Sequence, residues 1–320
     1  MSGFRRPLNP VLARELRVRM RGRQAAVVLT LYLTILSLFL YLTYRSVTDI
    51  AALSGISSVA SSASAGRNVF QWLLVVMLAL VCFIVPGLTG GAITGERERQ
   101  TLIPLQVTLM KPLSILLGKL GASVAFTLFL VVAALPLIGV AFVLGGVSVG
   151  EVIAGTAIVL FIALVLAVFS LGWSSVFRRS QLATVTSYAI TLFLVLGTPL
   201  IYASQRIASS SYQGSGHTSK AIMVLNPFVL TADVAGGQTG SSSAPLNGLR
   251  SFVHPNSYSV GSSLVRSNGT TFTRSNPVRI PQPYEGFPFW VRSVIVFLGL
   301  CGTTLAVATY RLRTPAPKER

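Results

Sequence analysis

Long uncharged runs alternate with short clusters of basic residues along the whole chain. Six such runs stand out, at 25–44, 68–95, 120–150, 152–177, 180–205 and 293–310. A hydrocarbon core of about 30 Å takes about 20 helical residues at 1.5 Å each. The pattern therefore predicts six transmembrane helices. The sixth run is the shortest, and Phe289 and Trp290 ahead of it suit the membrane–water interface. The first run is longer than the apolar core of a signal peptide and lacks a small-residue cleavage site, so it reads as a span.

Composition narrows the class. Only 11% of the 320 residues are charged and 52% are hydrophobic, against about 25% charged in soluble domains. A water-soluble fold and a disordered chain are both excluded, the latter because disorder needs low hydrophobicity. The expected fold is an all-α integral membrane protein. Cys82 and Cys301 lie inside apolar runs and His217 and His254 share one polar stretch, so no disulfide framework and no metal site is expected.

Charge then orients the helices. Lys and Arg number 26 against 8 acids, for a net charge of +18. The basic residues cluster between spans instead of studding folded faces among aromatics, which argues for membrane topology over nucleic-acid binding. Segment 1–24 carries seven arginines and one glutamate. Segment 94–119, the tight loop at Arg178 and Arg179, and the tail 311–320 are also basic, whereas 45–68 and 145–151 are poor in basic residues. Because Lys and Arg accumulate on the cytoplasmic side, both termini are expected there, in a multi-pass protein of the plasma or inner membrane. The domain layout reads as an interfacial segment 1–24, five spans over 25–203, an outer loop 204–289, a sixth span over 290–310 and a tail.

Several helix breakers fall inside spans, notably Pro86, Pro136 and Pro199. They read either as ordinary kinks or as a gate beside a substrate path. No ionisable residue sits in the middle of a span, which argues against an ion-driven carrier. Nor is there a buried catalytic set, so the chain is not expected to be an enzyme and no cofactor is expected.

Two segments carry more information. At the N-terminus, Asn9 and Pro10 make a good helix start. Leu12, Leu16 and Met20 recur every four residues, with Arg14, Arg17 and Arg21 on another side and Glu15 in the same segment. That spacing predicts an amphipathic helix in the membrane interface, ending near Gly22. After the second span comes Glu96-Arg97-Glu98-Arg99-Gln100-Thr101-Leu102. Simple anchoring calls for basic residues alone; two acids followed by an apolar run point to a short helix that docks onto a partner.

These residues resemble the membrane subunits of ABC-type exporters of the ABC-2 superfamily, the type V exporters. The resemblance rests on the helix of residues 9–17, on Glu96, Arg97, Glu98, Thr101 and Leu102, and on Pro112, Leu113, Ser114, Gly118 and Lys119. Leu225-Asn226-Pro227-Phe228 and Phe287-Pro288-Phe289-Trp290 add to it. It implies a permease that works as a homo- or heterodimer, each half seated on a cytoplasmic ATP-binding subunit. Residues 96–102 would be the coupling helix that contacts the ATPase, and the N-terminal helix the elbow. The chain departs from the pattern at Gln100, where Gly or Asn is frequent, and at Ile103-Pro104. Gly118-Lys119 is followed by Leu120 and lacks the preceding glycine of a phosphate-cradling loop, so ATP hydrolysis is left to the partner.

The loop 204–289 is rich in Ser, Gly and Pro, which favours turns over a packed core. Asn268-Gly269 between apolar-polar alternations predicts a small hairpin near 264–273 on the outer side; the family resemblance further implies a short helix dipping back before the last span, for which 283–290 is the candidate. The expectation is a permease half of an ATP-driven exporter; the alternative is a non-transporting membrane scaffold. Replacing Glu96 and Glu98 by Ala is expected to leave folding intact and uncouple ATP hydrolysis.

Overall fold

A computed structural model describes residues 15–17, 22–54, 59–100, 112–211, 220–235, 245–246, 249, 263–267, 270–274 and 288–313. Among them are six helices long and apolar enough to cross a membrane, at Arg23–Ser46, Ala63–Glu98, Leu116–Leu144, Val149–Val176, Ser180–Gln205 and Phe289–Arg311.

The elements in chain order are α1 (Arg23–Ser54), α2 (Val59–Thr89), the one-turn α3 (Thr94–Glu98), α4 (Pro112–Leu144) and α5 (Val149–Val176). Then come α6 (Ser180–Leu192), a π-turn (Phe193–Gly197), α7 (Thr198–Ser211), a 3-10 turn (Lys220–Leu225), α8 (Pro227–Ala235) and α9 (Phe289–Arg313). Strands β1 (Ser263–Ser267) and β2 (Thr270–Arg274) pair antiparallel, with Ser267 opposite Thr270. Asn268 and Gly269 lie outside the described residues.

The bundle is built around α2 and α5. Helix α2 packs on α1, α4, α5 and α6, and α5 on α2, α4, α6, α8 and α9. Helix α5 is apolar on almost every side, which suits a helix surrounded by others. In α5 the residues from Val165 to Leu171 are buried without a break. Small side chains let the neighbours close in, as expected where packing and not the hydrophobic effect drives association. Helix α1 is peripheral and attaches mainly through Tyr32 and Leu36, both about 1% exposed.

At one end of the bundle the α4–α5 connection turns through Gly145 and Gly146, at φ +88° and +77°, a region that favours glycine. Ser148 and Glu151 form a capping box at the start of α5. Glu151 also pairs with Arg67 of α2, which locks that turn onto the start of the second span.

The prolines behave differently from one another. Helix α4 runs through Pro136 and α2 through Pro86 without ending. Pro199 follows the π-turn, in which the Thr198 amide reaches back to the Phe193 carbonyl. Pro199 has no N–H, so the Val195 carbonyl loses its helical donor. Asn226 supplies one: its Nδ2 donates to the carbonyls of Val195 and Leu194, each at 3.1 Å, and lies 2.8 Å from Thr198 Oγ1. A freed backbone acceptor inside the membrane is thus satisfied from a neighbouring element.

The same Asn226 caps α8, its Oδ1 accepting from the amides of Phe228 at 2.8 Å and Val229 at 3.1 Å. Pro227 takes the first helical position, where no donor is needed. Six of the nine residues of α8 are buried. Composition pointed to loops and turns through 204–289, and the structure corrects that here: a local cap and an apolar sequence outweigh the Ser/Gly/Pro-rich surroundings. Of the 283–290 candidate, 283–287 lie outside the described residues, and Phe289 and Trp290 open α9. The Asp233 carboxylate accepts from the Trp290 amide at 3.0 Å, tying α8 to the start of α9.

Candidate functional site

The turn after α2 is where the charged sequence signals converge. Helix α2 ends close against α6: a Cβ on Gly90 would stand 2.9 Å from the Thr184 Cα, and one on Gly91 would stand 2.8 Å from Ser180 Oγ. These two glycines therefore serve close packing.

Helix α3 starts without a cap of its own, because Ile93 occupies the N-cap position. The exposed amide ends are met by α5 instead. Ser174 Oγ accepts from the amides of Ile93 at 3.0 Å and Thr94 at 3.2 Å, and sits 3.3 Å from Thr94 Oγ1. Ser174 is fully buried. A hydroxyl 80 residues away does the work of an N-cap serine.

The three charged residues of α3 then reach three different elements. Glu96 accepts from Lys119 Nζ of α4 at 2.9 Å. Arg97 donates to the carbonyls of Phe177 at 3.1 Å and Ser175 at 3.5 Å, at the C-terminal end of α5. Glu98 accepts the Ser180 amide at 2.6 Å, at the start of α6, whose N-cap Arg179 gives no side-chain bond. A cation meets the negative end of one helix dipole and an anion the positive end of the next. The Arg97-Glu98 pair clamps both sides of the tight α5–α6 connection.

Lys119 also donates to Glu15 at 3.0 Å. Glu15, Leu16 and Arg17 are helical, as the N-terminal periodicity predicts, while Leu12, Arg14 and Met20 lie outside the described residues. The N-terminal helix, the turn and the α5–α6 connection therefore share one end of the bundle, opposite the Arg67–Glu151 pair.

Arg99 and Gln100 are exposed. Gln100 has φ +56° and ends the helical turn in a left-handed conformation, the usual way to close a helix. The residue that departs from the family pattern thus holds the position where Gly or Asn fits without strain. Thr101 and Leu102 lie outside the described residues.

Reading the sequence brought Glu96, Arg97 and Glu98 together and aimed them at a partner. The structure engages all three within the chain. A double alanine replacement at Glu96 and Glu98 takes the partners from Lys119 and the Ser180 amide, so it is expected to loosen the turn itself. Ser174 was missed, and so was the role of Lys119; the only signal for Ser174 was a pair of serines near the end of an otherwise apolar run. Among the described residues no group of three or more His, Cys, Asp or Glu is placed to hold a metal ion. The site offers mechanical connection between elements.

No curated protein matches the chain. The sequence model of the family described as ABC-2 family transporter protein matches residues 10–263, from the N-terminal helix to the first strand. That span takes in the turn, Lys119, Ser174 and Asn226, and covers well over half of the chain: this protein belongs to the ABC-2 transporter family and is a multi-pass permease subunit of an ABC transporter.

Proposed function

We propose that this chain is one permease half of an exporter, driven by a separate cytoplasmic ATP-binding subunit that docks at residues 96–102. The observation that carries the reading is the division of labour in the turn. Glu96, Arg97 and Glu98 are spent on α4, α5 and α6, which makes the turn a rigid extension of three spans. Arg99 and Gln100 remain exposed at its tip. A contact there is felt by the membrane helices without passing through a flexible loop.

The turn, the N-terminal helix and the chain termini then belong to the cytoplasmic side, in accord with the arginines and lysines concentrated in those segments. Two such halves, identical or different, enclose the pathway as a dimer. The spans lack mid-membrane charge, which favours an amphipathic cargo over an ion. This chain hydrolyses nothing itself; the energy comes from the partner.

The test is recovery of the tagged chain from its native membranes in mild detergent. A nucleotide-binding protein carrying a glycine-rich phosphate loop is expected at about one copy per permease, with ATP hydrolysis. Arg99→Glu, which reverses the charge of the exposed tip, is expected to lower that recovery while the permease itself stays folded. If no nucleotide-binding chain co-purifies at any ionic strength, the reading fails.

A further inference from the structure

We infer that Lys119 is the positioning residue through which a displacement of the turn after α2 is passed to the N-terminal helix. The inference rests on the coupling role proposed above for that turn.

The Lys119 ammonium stands between two carboxylates from elements that meet nowhere else among the bonds described: Glu96 of the turn at 2.9 Å and Glu15 of the N-terminal helix at 3.0 Å. It is 2% exposed, between Leu116 and Leu120 of its own helix, which are also buried. Water is therefore not at hand to replace either carboxylate on Nζ. An ammonium is a compact charge with three rotatable donors, so it holds both partners while either one shifts by a fraction of an ångström. Charge-assisted bonds of this kind are the strong ones.

The two sides of the joint are unequal. The turn is also held by Ser174, by Arg97 on the α5 carbonyls and by Glu98 on the α6 amide. It moves as one body with the α5–α6 connection. Among the described residues, Glu15 meets that body through Lys119. The triad carries two negative charges and one positive, so its ammonium is what keeps two like charges together. Without it Glu15 and Glu96 repel, which weakens the hold of the N-terminal helix on a turn that is anchored elsewhere.

The complex, as it co-purifies with its ATP-hydrolysing subunit, is the sample. Hydrogen exchange of its backbone amides is compared without nucleotide and with ATP plus vanadate. In the wild type, nucleotide changes exchange both at 94–100 and at 10–24. In Lys119→Met the change at 94–100 persists, while the change at 10–24 falls by at least about fivefold, the lower end of ordinary coupling between sites. Glu15→Gln, which leaves the Lys119–Glu96 pair in place, repeats that loss, and it decides the matter alone if Lys119→Met does not fold. A wild-type response at 10–24 in the variant overturns the joint and leaves the coupling role standing. A wild type with no nucleotide response at 94–100 overturns the coupling role and the joint with it.

Discussion

Ser174, buried in the last turn of α5, caps the amide of Thr94 at 3.2 Å and so starts a helical turn that belongs to a different span. The neighbouring Ile93 amide leans on the same oxygen at 3.0 Å. Ser174→Ala removes the one acceptor that both amides share, in a site closed to water. An unsatisfied buried donor costs about 1–3 kcal/mol. The expected result is a clear fall in the thermal midpoint of the purified permease, with Ser174→Thr recovering part of it. An unchanged midpoint in Ser174→Ala means the cap is dispensable.

Arg97 and Glu98 owe their effect to helix ends, so the sign of the charge matters more than its presence. Glu98→Gln keeps an acceptor for the Ser180 amide and is expected to be mild, within about 1 kcal/mol for an exposed dipole contact. Glu98→Lys places a cation on the positive end of α6 and is expected to open the α5–α6 connection. Arg178 and Arg179 in that connection are trypsin sites. Cleavage there should accelerate in Glu98→Lys and stay near wild type in Glu98→Gln; equal rates in the two variants refute the dipole account.

Gln100 bears a backbone angle that suits glycine, and its exposed side chain has no packing to lose. Gln100→Gly is expected to leave stability within about 1 kcal/mol of wild type, relief of the left-handed strain being offset by glycine's freer unfolded chain. Gln100→Val, β-branched, should cost about 1–3 kcal/mol. Thermal denaturation of the two variants side by side measures the difference. A Val variant as stable as the Gly variant shows that the turn does not need this conformation.

Asn226 and Pro199 form a pair whose effects are not additive. Asn226→Ala strips the cap from α8 and leaves the Val195 carbonyl without a donor, at an expected cost of about 2 kcal/mol or more. Pro199→Ala restores a backbone N–H able to serve that carbonyl. The double variant should therefore lose less than the sum of the single ones, by about 0.5–1 kcal/mol or more, in a double-mutant cycle. Strict additivity would falsify the claim that Asn226 answers the missing proline donor.

The number of spans was legible in the sequence because hydrophobic length is a local property. A run of twenty apolar residues needs a membrane or a core wherever its neighbours lie, and the six runs reappear as six helices. Basic clustering marked the segment of Glu15, the turn after α2 and the α5–α6 connection, which share one end of the bundle. The N-terminal periodicity foretold the helix that contains Glu15. Family membership was legible too, since short motifs keep their order along the chain.

Tertiary structure alone decided what those motifs touch. The partners of Thr94, Arg97 and Glu98 lie about 80 residues downstream, at the far end of two further spans, and no periodicity reports a bond of that range. The same holds for Lys119, whose two carboxylates come from before and after the first two helices. Composition hid α8, because one asparagine cap and one proline count for little in a stretch dominated by Ser, Gly and Pro. Local preference determines which segments are helices. Which charge meets which helix end depends on where folding brings those ends together.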